Sequence, residues 1–230
     1  MNIHTITLPA AIAALTITTA LIPGCAPLKQ HIKDAVQDLD VKGIAQDHAC
    51  GLYISEGRKQ AEQIYEHEWP LFEPVFKASL GAAADLQWCS DSLKDAGVQI
   101  VHKSRSDSST AVCGVVLFGA DFNERKVEEQ AAICMHELAH IYEQKRLGCK
   151  PWLLNYAKVS GRMSSEGTAY ALSDAALERY GVPRQEIERR AKARAKRFPT
   201  NYGLSRVLSP ECTHDYFSAL RRTLRERTGI

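Results

Sequence analysis

The spacing of apolar residues changes character several times along this chain of 230 residues. From Ile6 to Cys25 the run "ITLPAAIAALTITTALIPGC" carries no charge, and "PLKQHIKDAVQDLDVKGIAQDHAC" after it is polar with a helical tendency. In "SEGRKQAEQIYEHEWPLFEPVFKASLG", 55–81, Ser55 suits an N-cap. Ala61, Ile64, Tyr65, Leu71 and Phe72 keep helical spacing, and Pro70 and Pro74 are expected to kink or break the helix. Two runs rich in Val, Ile and Phe, joined by the polar "SRSDSS", predict a β-hairpin pairing roughly 98–103 with 111–118. A long helix is predicted over about 122–147, opened by Asp121 with Glu124 as a capping box and closed by Gly148. Further helices are predicted over 164–180, with Ser164 or Ser165 near the cap, over 184–197 and over 209–227. The fold class is therefore α+β: a small hairpin or sheet leads into one long helix, and the C-terminal part is mainly helical.

The uncharged N-terminal run is too short and too rich in threonine for a membrane-spanning helix. It reads as the h-region of a secretory leader, and Ile22-Pro23-Gly24-Cys25 resembles a bacterial lipobox with Cys25 as the acylated residue. The chain thus divides into a leader, 1–25, a tether and N-terminal segment, 26–54, and a single domain, 55–230. Beyond Cys25 stand six cysteines, an even number that suggests disulfides in an oxidising compartment, and no CxxC pair supports a cysteine zinc ribbon. Cys134, inside the predicted long helix, is the best candidate for a buried free thiol. A net charge of +2 points to no particular partner. The basic run "RQEIERRAKARAKR", 184–197, reads as a solvated helix face, and no motif of a nucleic-acid-binding fold is present.

The chemistry concentrates in "AAICMHELAHIYEQ", 131–144. Met135, Leu138, Ala139 and Tyr142 follow the i, i+3, i+4, i+7 rule and define an apolar face. Ile133, His136, Glu137 and His140 fall on roughly the opposite side. Histidines four apart lie one helical turn apart, so both imidazoles can reach one ion. Glu137 falls beside them, placed to accept a proton from an attacking water; this is the HExxH arrangement of zinc peptidases. A catalytic zinc site also needs a third protein ligand and an open position. The metzincin extension would require glycine at position 143 and histidine at 146, where Glu143 and Arg146 stand. Glu166, in "SSEGTAYAL", 164–172, is the candidate third ligand.

"HELAH" followed by "SEGTAY" resembles the paired motifs "HELAH" and "NEGFA" of the aminopeptidase members of the gluzincins, and the "EGxTxY" pattern of related gluzincin families. The likeness covers about 45 residues. It implies a zincin-like fold in which His136, His140 and Glu166 bind Zn2+ and Glu137 is the general base. Many gluzincins place an aspartate four residues after the ligand glutamate to orient the first histidine; Tyr170 stands there, and Asp174 lies one turn further on. The oxyanion donor implied by the family is a Tyr or His from a later segment, for which His214 and Tyr216 are the leading candidates, with Tyr170 and Tyr202 beside them. The strand before the zinc helix is expected to pair with an extended substrate. The implied activity is zinc-dependent hydrolysis of peptide bonds in the bacterial cell envelope, on the periplasmic side. The protein would be lipid-anchored through Cys25, or otherwise secreted, with a protein or peptide as substrate and no nucleic acid as partner. The alternative is a non-catalytic zinc-binding or protein-interaction lipoprotein that keeps the fold.

Overall fold

The computed structural model describes residues 69–81, 86–102, 108–205 and 208–229, with scattered positions between 55 and 67. The leader, the tether, Cys25 and Cys50 lie outside the described residues. In chain order the elements are α1 (Trp69–Gly81), α2 (Gln87–Asp95), β1 (Gln99–His102), β2 (Thr110–Val112) and β3 (Val115–Phe118). A 3-10 turn (Phe122–Glu124) then leads to α3 (Val127–Leu147), α4 (Cys149–Ala157), α5 (Val159–Arg179), α6 (Arg184–Asn201) and α7 (Pro210–Thr228). The described residues are mostly helical around one three-stranded sheet, as an α+β reading requires.

The sheet differs from the expected hairpin. Its strand order is β1-β3-β2, with β1 parallel to β3 and β2 antiparallel to it. The antiparallel turn falls inside the segment read as one strand. Val112 pairs with Val115 across Cys113 and Gly114, which sit at φ 48° and 83°. Two successive left-handed residues make the two-residue turn whose twist suits a hairpin. A non-glycine residue in that region is unusual. Cys113 is held there by its disulfide to Cys149 and by its N–H donating to Gln144 Oε1 at 2.7 Å. β3 is consequently central and offers no free edge to a substrate. On the outer edge of β2, Gln144 takes up two backbone groups: it accepts from Cys113 N and its Nε2 donates to Ala111 O at 3.0 Å.

Helix α3 starts later than the capping box suggests. Asp121 is engaged by Arg125 at 2.7 Å instead of by a helical N–H, and Arg125 and Lys126 are extended. The end is as predicted: Gly148 at φ 82° stops the helix, after Lys145 and Arg146 in the last turn and with Glu128 and Glu129 in the first. Pro74 lies inside α1 instead of breaking it. Ser164 and Ser165 are buried interior positions of α5, which begins at Val159; only the extended Lys158 separates it from α4. The last helix begins within a residue of the expected 209, with Ser209 Oγ accepting from Cys212 N at 3.1 Å and Pro210 in the first turn.

α5 joins two cores and is buried on nearly every side. Ala169, Leu172 and Ala176 pack with Phe72, Leu93, Val116, Met135, Leu138 and Ile141 from α1, α2, the sheet and α3. Met163 instead joins Phe198, Leu208, Tyr216 and Leu220 on the α6–α7 side. A third, smaller cluster seats Trp152 and Leu153 of α4 on Val112. Cys134 is not free: it is bonded to Cys89 of α2, Cα–Cα 6.1 Å, while Cys113 and Cys149 are bonded at Cα–Cα 5.2 Å. Cys212 is disulfide-bonded as well, its partner lying outside the described residues. Disulfides form and persist in oxidising compartments, and no helix of the described residues is long and apolar enough to cross a membrane.

The tight turn between α4 and α5 depends on Gly161, where a Cβ would stand 2.1 Å from the backbone oxygen of Asn155. Gly161→Ala is expected to destabilise the fold by about 1–3 kcal/mol through overpacking, seen as a lower urea midpoint, despite the better helix propensity of alanine. An unchanged or raised midpoint would mean that this approach is looser than described.

Candidate metal centre

Two helices packed along their length bring the chemistry together. His136 and His140 rise from α3, and Glu166 faces them from α5. The two Nε2 atoms are 3.2 Å apart. Glu166 Oε2 stands 3.4 Å from His136 Nε2, and Glu166 Oε1 stands 3.6 Å from His140 Nε2. Ligands bonded at 2.0–2.1 Å to one tetrahedral ion are spaced about 3.3–3.4 Å from each other. The imidazoles are near that spacing, the carboxylate meets each of them with a different oxygen, and one ligand atom from each side chain lies within 4.8 Å of the others. Glu166 Oε2 is buried without a hydrogen bond of ordinary geometry, and two imidazole nitrogens face each other beside it. A cation among the three atoms would satisfy all of them, so the residues fit a metal ion. The Glu166 and His140 side chains are 3% and 6% exposed, against 16% for His136, so solvent reaches the cluster from the His136 side.

The side of α3 opposite the apolar stripe is covered as well. Glu137, His140, Glu143 and Gln144 are all buried, because α4 and α5 cover the ionisable side as the core covers the other. Each buried polar group consequently needs a partner. His140 Nδ1 meets Ser165 Oγ at 3.1 Å; Ser165 Oγ–H donates to Glu143 Oε2 at 2.5 Å, and Trp152 Nε1–H donates to the same oxygen at 2.8 Å. Tyr156 O–H donates to Glu166 Oε1, and the Tyr202 hydroxyl faces the same carboxylate and the hydroxyls of Tyr156 and Tyr170. Arg162, itself buried, donates to the carbonyls of Tyr156 at 3.1 Å and Tyr202 at 3.2 Å, a cation set at the C-terminal ends of α4 and α6. It thereby holds both tyrosines against Glu166.

Electrostatics follow from this burial. Glu166 ionises at about 2: burial opposes its charge, but His140, His136 and the Tyr156 hydroxyl outweigh that. Burial drives His140 down to about 4, Glu166 pulling against it and His136 adding to it. Burial also lowers His136, but Glu166 and Glu137 more than offset it, and the net direction is upward. Burial first, and then the charge of Glu166, raise Tyr156, Tyr170 and Tyr202, so all three hydroxyls stay protonated donors at neutral pH. Glu137 lies close enough to act on both His136 and Tyr170.

The other sequence candidates occupy different places. Tyr170 packs on the His136 ring at 4.8 Å between centroids, and the Arg194 guanidinium lies over Tyr170 at 5.0 Å. Asp174 pairs with that arginine and with Arg221 at 3.3 Å, so it reaches His136 only through Arg194 and Tyr170. His214 stands at the far end of this chain, 3.4 Å from Glu188, which Arg221 also pairs. Tyr216 belongs to the α6–α7 core, its ring against Gly167. Sequence reasoning missed Glu143, Ser165, Trp152, Tyr156 and Arg162. The only available signals were Glu143 one turn beyond His140 and Ser165 beside Glu166. No protein family, curated protein or solved structure matches the chain.

A metal-free preparation should show the strain of this cluster in acid. The unfolded chain protonates position 140 near 6.5, the folded chain only near 4, so the His140 contribution is present above 6.5 and lost as pH falls from 6.5 to 4. The contribution of Glu166 is present above 4.5 and lost toward 2, while that of His136 is complete below 6.5 and vanishes only as pH rises. Glu143, raised by burial, acts in the opposite sense to His140. Denaturant titrations of parent and His140→Gln protein between pH 6.5 and 4 should therefore diverge in slope, the parent losing up to about 3 kcal/mol more. Parallel profiles would contradict a buried neutral His140.

Proposed function

We propose that this protein is a zinc-dependent hydrolase of peptide bonds, of gluzincin type, working in the oxidising compartment of a bacterial cell envelope. The convergence of His136, His140 and Glu166 at ligand spacing, with Glu137 beside them on the same helix, carries the reading. Two neutral imidazoles and one carboxylate are the donor set of zinc peptidases, and they leave the ion a net positive charge. When bound, zinc would polarise the scissile carbonyl and acidify the attacking water. Glu137 accepts the proton of that water and later returns it to the leaving amine. The buried hydroxyls of Tyr170 and Tyr202, held protonated beside Glu166, are better placed than His214 and Tyr216 to donate to the developing oxyanion.

Gln144 occupies backbone groups on the outer edge of β2, so a substrate pairing with that edge must displace it or bind beyond it. The leader reading and the disulfides support an envelope location, with Cys25 as the lipid anchor. A second reading rests on the low exposure of His140 and Glu166: a nearly closed site is what a structural zinc ion takes, and the protein would then be a non-catalytic binding module.

Elemental analysis of the purified protein should find about one zinc per chain, lost in His136→Ala and Glu166→Ala. Glu137→Gln should keep the metal while cleavage of a peptide library falls roughly 100-fold or more. A parent without metal would end the hydrolase reading. Cleavage by Glu137→Gln at the parent rate would remove Glu137 as the base, and a metal-loaded parent with no cleavage would favour the binding module.

A further inference from the structure

The hydrogen bonds behind His140 have a direction, and the direction follows from which atoms can donate. An indole N–H can only donate, so Trp152 fixes Glu143 Oε2 as an acceptor. Ser165 Oγ lies 2.5 Å from that same oxygen. A hydroxyl has one proton; with Glu143 ionised and unable to donate, that proton lies between Ser165 and Glu143. Ser165 Oγ then has only lone pairs left for His140 Nδ1 at 3.1 Å, so Nδ1 must carry the hydrogen. A neutral imidazole has one N–H. Nε2 is therefore bare, and it is the atom that faces His136 and Glu166. His140, Glu143, Trp152 and Ser165 are all buried, so water does not compete for these bonds.

We infer that Glu143, acting through Ser165, holds His140 in the Nδ1–H tautomer and so keeps its Nε2 lone pair aimed at the metal position. Both are positioning residues. The relay serves the second histidine; the first, His136, has the Tyr170 ring packed on it instead of an aspartate four residues after Glu166. Tyr170 stands at that position, and Asp174 is engaged by Arg194 and Arg221. Consecutive residues of α5 act on opposite sides of the ring, Glu166 meeting the imidazoles at Nε2 while Ser165 meets His140 at Nδ1. The consequence for affinity rests on the metal-centre reading above; the tautomer does not.

Two measurements separate the claims. Long-range 1H–15N spectra of the metal-free protein report which ring nitrogen of His140 is protonated, and competition with a chromophoric chelator reports the affinity for Zn2+. The parent should show His140 as the Nδ1–H tautomer. Ser165→Ala and Glu143→Leu should show a tautomer mixture and bind Zn2+ roughly 10- to 100-fold more weakly. Glu143→Gln keeps a carbonyl oxygen for Trp152 and Ser165 and should retain both the tautomer and the affinity. An Nδ1–H signal and a Zn2+ affinity unchanged in Ser165→Ala would overturn the inference, as would Glu143→Gln behaving like Glu143→Leu. A tautomer change in Ser165→Ala in a protein that binds no Zn2+ would uphold the relay and refute the metal centre. Thermal midpoints of the variants identify any that fail to fold, and Ser165→Ala, which removes a single oxygen, is the variant least exposed to that outcome.

Discussion

Among the described residues the fold turns on the close approach of two helices across ionisable side chains. α3 and α5 lie together along their length, and at one point the contact consists of two imidazoles and a carboxylate instead of hydrocarbon. Atoms 3.2–3.6 Å apart in a nearly dry setting interact far more strongly than on a surface. Burial of such groups is unfavourable unless each is paired. A cation shared by the three side chains would satisfy them together, and the group they form could hold a metal ion.

Supporting structure is concentrated where this contact must be held. A disulfide ties Cys134, two residues before His136, to α2, and another ties the β2–β3 turn to the first residue of α4. Gly161 allows α5 to turn back close to α4, and Gly167 lets α7 press against α5 beside Glu166. Arg162 joins the ends of α4 and α6, and with them the two tyrosines that border the carboxylate. The polar groups around the site thus form continuous chains reaching outward, through Ser165 and Glu143 on one side and through Tyr170, Arg194 and Asp174 on the other.

Local rules worked where local forces decide. The end of α3 at Gly148 and the Ser209–Pro210 start of α7 were legible, because each depends on a few adjacent residues. They failed where a distant partner intervenes. Asp121 reads as a cap but is taken by Arg125; Ser164 and Ser165 read as a helix start but are covered by packing on both sides. Cys134 reads as a buried thiol until α2 brings Cys89 against it. The sheet was misread because its turn uses a left-handed cysteine, a conformation that residue adopts here under the hold of a disulfide and a glutamine.

The sequence by itself determined the pair His136 and His140 with Glu137 beside them, since helical geometry sets their relation whatever the rest of the chain does. It also pointed to Glu166, through a motif 26 residues beyond His140. Only the tertiary structure decided that this carboxylate meets both imidazoles, and that a serine and a glutamate stand behind one of them. It also decided that tyrosines enclose the opposite side. Those relations depend on how α3, α4 and α5 pack, and packing is set by the summed contacts of many residues instead of by the spacing of a few.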